Sequence, residues 1–168
     1  MDNNGDVSSK EFLSPFYYNE QVTYYQYGGS KDLSNSPAGI GDLVYHLHNS
    51  FDKRIMVLFT SIRALTDTAK YLRALPDGRN LPLFAQVRGA SRPSIIKGMH
   101  QTSNGILFGT NSFWEGVDLP GELLEILVLV KLPFDVPSEP LVRSYSDHVN
   151  RMGGNSFIDY SLPETAIR

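Results

Sequence analysis

The segment richest in chemical groups is GTNSFWEGVDLPG, at residues 109–121. It lies between two apolar runs, residues 106–108 and 124–130, which are typical of buried strands. Gly109, Gly116 and Gly121 permit tight turns and let a ligand approach the backbone closely. The length and composition of this segment favour a ligand-binding loop over a plain connector.

Several polar and aromatic side chains of this loop suit a nucleic acid. Thr110, Asn111 and Ser112 carry short hydrogen-bonding groups that, together with nearby backbone N–H groups, can hold a phosphate. Trp114 is the only tryptophan of the chain, and its ring can stack on a base, a contact worth about 1–3 kcal/mol.

The two carboxylates of the loop suit other parts of a nucleotide site. Glu115 can position a cation or an arginine, and Asp118 can accept a hydrogen bond from a ribose hydroxyl. A structural role is the alternative for each feature: the glycines as turn residues, Phe113 and Trp114 as a cover for the core, and Asp118 as a turn cap. The loop contains no complete catalytic set.

A second candidate site is Thr60-Ser61, which follows the apolar run IMVLF and precedes a helical pattern. The start of a helix presents free N–H groups and the positive end of the helix dipole, so it can bind an anion. The alternative is that Ser61 only caps the helix.

The surrounding sequence alternates between strand and helix patterns. Strands are predicted at residues 21–27, 55–60, 83–87, 106–109 and 124–131, and helices are predicted to begin at Ser36-Pro37, Ser61 and Ser91, with a last long one over Leu141–Met152 that Gly153-Gly154 ends. Near-continuous apolar strands alternating with helices predict a parallel sheet covered on both faces. Ligands bind at the carboxyl ends of such strands, where both candidate segments lie.

Composition sets further limits. The chain has 41% hydrophobic and 20% charged residues, a net charge of −3 and no cysteine. These values predict a globular protein without thiolate metal sites or an iron–sulfur cluster, and the lack of cysteine favours a cytoplasmic location. No apolar run reaches the roughly 18–20 residues of a membrane span. The Gly-rich phosphate loop with its lysine and the Gly-x-Ser-x-Gly elbow are both absent, and His46 and His48 are interpreted as surface residues.

FWEGVDLPG, followed by KLPFDVPSEP at residues 131–140, closely resembles the C-terminal helicase lobe of the DinG/XPD-like branch of superfamily-2 DNA helicases. FLSPFYYNEQV at residues 12–22 is similar to the family's entry into this lobe, and IMVLFTSIRAL at residues 55–65 is similar to its motif IV region. The resemblance implies an α/β, RecA-like three-layer fold with a mainly parallel central sheet flanked by helices. Two such lobes sandwich ATP in these enzymes, and single-stranded DNA runs across both.

The resemblance also implies roles for individual residues. Residues 109–118 match motif V, which faces both DNA and nucleotide. The DNA-binding residues it implies are Thr60, Ser61, Thr110, Asn111, Ser112 and Trp114. The nucleotide-facing residues it implies are Glu115, Gly116 and Asp118. ATP and Mg²⁺ are expected to bind mainly to the first lobe, and the expected partners are single-stranded DNA and that N-terminal lobe, with no membrane.

Two departures from the family shape the expected domain organisation. Motif VI, a Gln-x-x-Gly-Arg-x-x-Arg pattern that carries the arginine finger, is expected directly after LPETAIR, where the chain stops. The first lobe is also absent. Residues 16–168 are therefore predicted to be a second RecA-like lobe truncated before motif VI. Residues 1–15 are predicted separately to be a flexible lead or cloning junction. The chain alone is expected to be inactive; the alternative is a non-catalytic α/β module that binds a nucleotide or a partner.

Overall fold

The computed structural model describes residues 10, 14–29, 32–87, 89–114 and 117–167. The chain divides into two compact units, Met1–Lys31 and Asp32–Arg168. None of the helices in these ranges is both long and apolar enough to cross a membrane.

Among its described residues, the first unit contains one short helix, α1 (Tyr18–Gln21). The prediction of a strand at residues 21–27 is wrong. The prediction relied on the β-propensity of its tyrosines, yet Tyr24 and Tyr25 are 81% and 87% exposed. β-propensity describes how well a side chain fits a half-buried pleated surface. Without such a surface beneath them, these residues continue as irregular chain after α1.

The described residues of the second unit form a sheet of four parallel strands, β1 (Ile55–Leu58), β2 (Leu83–Ala85), β3 (Ile106–Gly109) and β4 (Ile126–Leu129), in the order β2-β3-β1-β4. Four of the five predicted strands are thereby confirmed. In the centre of the sheet, Ile55 pairs with both Ile106 and Ile126. The carboxyl ends of β1 and β3 therefore meet at the same edge.

In the described part of this unit, six helices accompany the sheet: α2 (Pro37–Ser50), α3 (Ile62–Ala74), α4 (Arg92–His100), α5 (Asn111–Trp114), α6 (Pro140–Arg151) and α7 (Leu162–Ile167). Ser36, Ser61 and Ser91 cap α2, α3 and α4, each accepting a hydrogen bond from a backbone N–H three residues on. A serine hydroxyl satisfies one of the N–H groups left free at a helix start, which is why the three predicted starts are confirmed.

Helices α2 and α3 pack together on one face of the sheet. Ile55 and Val57 of β1 lie on this face, as does Phe59, which follows β1, and each is 0% exposed. We call this the first face. At the centre of this face, the ring centroids of Phe59 and Phe108 lie 5.1 Å apart.

The second face carries Met56, Leu58 and Leu107, which pack against Ile95 and Met99 of α4. The chain after β3 also packs on this face, through a set of apolar side chains: Phe113, Trp114, Val117, Leu119 and Leu124. The three-layer α/β architecture is confirmed, and the candidate loop forms part of one of its outer layers.

Candidate functional site

The two candidate segments emerge side by side at the carboxyl edge of the sheet. Leu58 pairs with Gly109 at the ends of β1 and β3. One residue further on, the Phe59 N–H donates to the Gly109 carbonyl oxygen at 2.9 Å. Thr60 and Thr110 therefore leave neighbouring strands at the same edge, Thr60 one residue beyond the position opposite Thr110.

Thr60 and Ser61 are both exposed at this edge. The Ser61 Oγ accepts a hydrogen bond from the Ala64 N–H at 3.4 Å. The alternative that Ser61 is a helix cap is confirmed, and its role in DNA binding stays a prediction. The two roles are compatible, because Thr60 and Ser61 are both exposed where α3 begins.

Thr110 is held by a side chain that sequence reasoning missed, Gln86. The Gln86 Oε1 accepts hydrogen bonds from both the N–H and the hydroxyl of Thr110, each at 2.9 Å. The Gln86 Nε2 donates to the Ser112 Oγ at 3.0 Å. Thr110 is only 6% exposed, whereas Ser112 is exposed. We call Gln86, Thr110 and Ser112 the amide clamp.

The signal that could have identified Gln86 is its position rather than its type. It follows β2 directly, and its own N–H donates to the Phe108 carbonyl oxygen of β3 at 2.9 Å. Had the neighbouring positions of β2 and β3 been predicted, the polar residue ending β2 would have been expected beside the start of the loop.

The aromatic pair of the loop lies at the boundary between the core and the edge. Phe113 is 3% exposed, and the Arg92 guanidinium lies 5.6 Å from the centre of its ring. The prediction that Phe113 covers the core is confirmed. Trp114 is half-buried and packs on the second face, and its Nε1–H donates to the Phe59 carbonyl oxygen at 3.4 Å. Trp114 thus links the loop to the end of β1; its contact with DNA stays a prediction.

The loop then runs along the second face toward the amino edge of the sheet, where the Arg54 Nη1 donates to the Glu122 carbonyl oxygen at 2.8 Å. Asp118 is exposed and borders a groove of about 700 Å³ against α4. That groove also has basic groups in its lining, among them Lys97 and His100. The other two residues predicted to face the nucleotide, Glu115 and Gly116, lie outside the described residues. So does the side chain of Asn111, which was predicted to bind DNA.

The electrostatics away from this edge are those of structural contacts. At the amino edge, the hydrogen bond from the Lys53 ammonium lowers the pKa of the Glu125 carboxyl below its ordinary value. On α2, desolvation lowers the pKa of His48, which is half-buried rather than fully at the surface as predicted. Within the described ranges, no group of three or more His, Cys, Asp or Glu side chains is placed to hold a metal ion.

In a parallel α/β sheet, ligands such as nucleotides bind at the carboxyl ends of the strands, and the two polar segments lie at that edge. Residues 44–168 match the helicase C-terminal domain family. The chain therefore belongs to that family, and the RecA-like fold class predicted above is confirmed.

Curated relatives agree with this assignment. The chain is 29% identical over 164 residues to the ATP-dependent DNA helicase YoaA of Haemophilus influenzae, which covers 96% of this chain and 25% of that protein. It is 36% identical over 114 residues to the ATP-dependent DNA helicase DinG of Photobacterium profundum, covering 66% and 16%. It is 32% identical over 160 residues to the 3'-5' exonuclease DinG of Bacillus subtilis, covering 92% and 17%. The chain spans a quarter or less of the length of these relatives.

Proposed function

We propose that this chain is the C-terminal motor lobe of an ATP-dependent, DinG-like DNA helicase. In this proposal it contributes single-stranded DNA contacts and one wall of the ATP site, for unwinding linked to DNA repair or replication. Membership of the helicase C-terminal domain family and the helicase names of two relatives support it.

The observation that carries the proposal is the shared edge of Thr60-Ser61 and the amide clamp. Both segments present exposed hydroxyl groups at the carboxyl ends of adjacent parallel strands. The amino end of α3 adds backbone N–H groups and a positive dipole beside them. Phosphates of a single strand lying across this edge would find hydrogen-bond donors from both segments. With a net charge of −3, the chain relies on these local contacts rather than on its overall field.

The nucleotide side of the proposal rests on Glu115, Gly116 and Asp118. The exposed carboxylate of Asp118 can accept a hydrogen bond from ATP or from a group that the N-terminal lobe brings to it. As the family resemblance implies, ATP and Mg²⁺ are assigned mainly to that lobe. The lobe would act by changing its orientation to the first as ATP binds and is hydrolysed, which moves the bound strand.

The test is Asp118→Ala in the full-length protein, measured as DNA-stimulated ATP hydrolysis and as affinity for single-stranded DNA. ATP turnover is expected to fall more than DNA affinity, because the proposal assigns Asp118 to the nucleotide side. The matched control is Asp147→Ala, which removes an exposed carboxylate from α6 and is expected to leave both unchanged. Wild-type ATP turnover in the Asp118 variant would remove this residue from the mechanism.

A second arm tests the need for two lobes. The 168-residue chain alone is expected to release no phosphate from ATP. Measurable phosphate release from a clean sample that contains no first lobe would contradict the proposal that catalysis needs both lobes.

A further inference from the structure

We infer that Gln86 is a positioning residue that makes the Ser112 hydroxyl a hydrogen-bond donor toward a DNA phosphate. This inference rests on the proposed function and deepens it. It follows from counting donors and acceptors in the amide clamp.

The orientation of the Gln86 amide is set by Thr110. The Gln86 Oε1 receives two hydrogen bonds from Thr110, from the N–H and from the hydroxyl, each at 2.9 Å. A backbone N–H can only donate, so the atom facing it must be the amide oxygen and not the nitrogen. The amide nitrogen is therefore fixed on the side of Ser112.

The two hydroxyl groups consequently have opposite roles. The Thr110 hydroxyl uses its single hydrogen on Gln86, and the residue is 6% exposed. The Ser112 Oγ instead accepts from the Gln86 Nε2 at 3.0 Å. A hydroxyl that accepts one hydrogen bond keeps its own hydrogen for another acceptor. Because Ser112 is exposed, that hydrogen is available to an anionic oxygen, whereas that of Thr110 is not.

The clamp is mounted on ordered elements, which is what a positioning role needs. The Gln86 N–H bonds to β3. Just before it, the Arg73 guanidinium of α3 donates to the carbonyl oxygens of Leu81 and Leu83, at 2.7 and 3.0 Å. Gln86 thus joins the end of β2 to β3 and to the first turn of α5.

The experiment is a double-mutant cycle between Gln86→Ala and Ser112→Ala in the full-length protein, with affinity for oligo(dT) as the readout. Each single variant is expected to weaken binding by about tenfold, the loss typical of one hydrogen bond to a charged group. In the Ser112→Ala background, Gln86→Ala is expected to cost less than about twofold more, because Gln86 acts through Ser112.

Gln86→Glu separates positioning from folding. Its carboxylate still accepts both bonds from Thr110 but cannot donate to Ser112, whose hydroxyl then turns toward the carboxylate. DNA affinity is expected to fall at least as far as in Gln86→Ala, while the melting temperature stays closer to that of the wild type. The control is Asn49→Ala, an exposed amide in the last turn of α2, with no expected change in affinity.

Two results would overturn the inference in distinguishable ways. Full additivity of the two alanine variants, or wild-type affinity in Gln86→Glu, contradicts the role of Gln86 and leaves the proposed function intact. A wild-type protein that binds no oligo(dT) contradicts the proposed function, and this inference with it.

Discussion

The two faces of the sheet are covered in different ways. On the first face, α2 and α3 bury the side chains of β1 completely, and Ile126 and Val128 of β4 also pack against that cluster. On the second face, α4 and the loop cover only part of the sheet. Leu127 and Leu129, which point to this face from β4, remain 49% and 46% exposed.

This difference separates stability from the proposed function. The first face is held by two regular helices whose apolar stripes serve only packing. The second face is held in part by the loop that carries Ser112, Trp114 and Asp118, so residues there pack and present polar groups at once. Substitutions on the two faces should therefore differ in kind as well as in size.

The largest expected effect is on the first face, from Phe108→Ala. Phe108 is 0% exposed, and removing such a ring typically lowers the free energy of unfolding by about 3–5 kcal/mol. Leu127→Thr on the second face is the comparison, expected to change it by about 0.5 kcal/mol or less. Urea denaturation of both variants measures the contrast, and equal losses would show that β4 is buried on both sides in solution.

A middle-sized effect is expected where the loop packs against the sheet, from Gly109→Ala. A Cβ at this position would lie 2.7 Å from the Phe113 Cβ, so the start of α5 must move. Overpacking of this kind costs about 1–3 kcal/mol, and oligo(dT) affinity should fall with it because Ser112 belongs to α5. In Gly28→Ala the added methyl group meets no atom within 4 Å, and it should change neither quantity. Unaltered DNA affinity in a destabilised Gly109 variant would separate packing from function on this face.

The smallest expected effect is a pH dependence from the first-face layer. Desolvation lowers the pKa of His48 in the folded chain, although the Asn104 backbone and the Asp52 carboxylate oppose it. The unfolded chain therefore binds a proton more readily, with a pKa near its ordinary value of about 6.5. Stability is complete above that pH and declines as the pH falls through it toward the lower folded value.

Denaturation at pH 8 and at pH 5.5 measures this decline in three proteins: wild type, His48→Gln and His46→Gln. The decline should shrink in the His48 variant and persist in the His46 variant, whose side chain is exposed. An identical decline in all three would assign the pH dependence to other groups.

The sequence predicted those parts of the fold in which local pattern and burial agree. The run IMVL of β1 is buried at every position, and the serine before α3 accepts a hydrogen bond from the Ala64 N–H as a helix cap does, so the sequence predicted both. The strand prediction for the Tyr24-Tyr25 segment is wrong because it rests on β-propensity alone, whereas a strand forms only where a neighbouring strand pairs with it.

The candidate site could be predicted only in outline. Residue types placed Thr110 and Ser112 together as hydroxyl donors, but donor and acceptor roles depend on Gln86, 24 residues before Thr110 in the chain. That contact follows from the order of β2 and β3 in the sheet, which one sequence does not show. Trp114 is predicted to contact DNA, and its half-buried side chain also packs on the second face of the sheet.

The central claim is that the edge formed by Thr60-Ser61 and the amide clamp binds single-stranded DNA. Trp114 is the only tryptophan of this chain, so its fluorescence reports on DNA binding directly. The measurement is the Trp114 fluorescence of the 168-residue chain during a titration with oligo(dT) at low salt. The account predicts a saturable change that weakens steeply as salt rises and is reduced in Ser112→Ala but not in Ser103→Ala, at the opposite edge of the sheet. Emission that stays constant, or a change that is the same in the Ser112 variant, would contradict it.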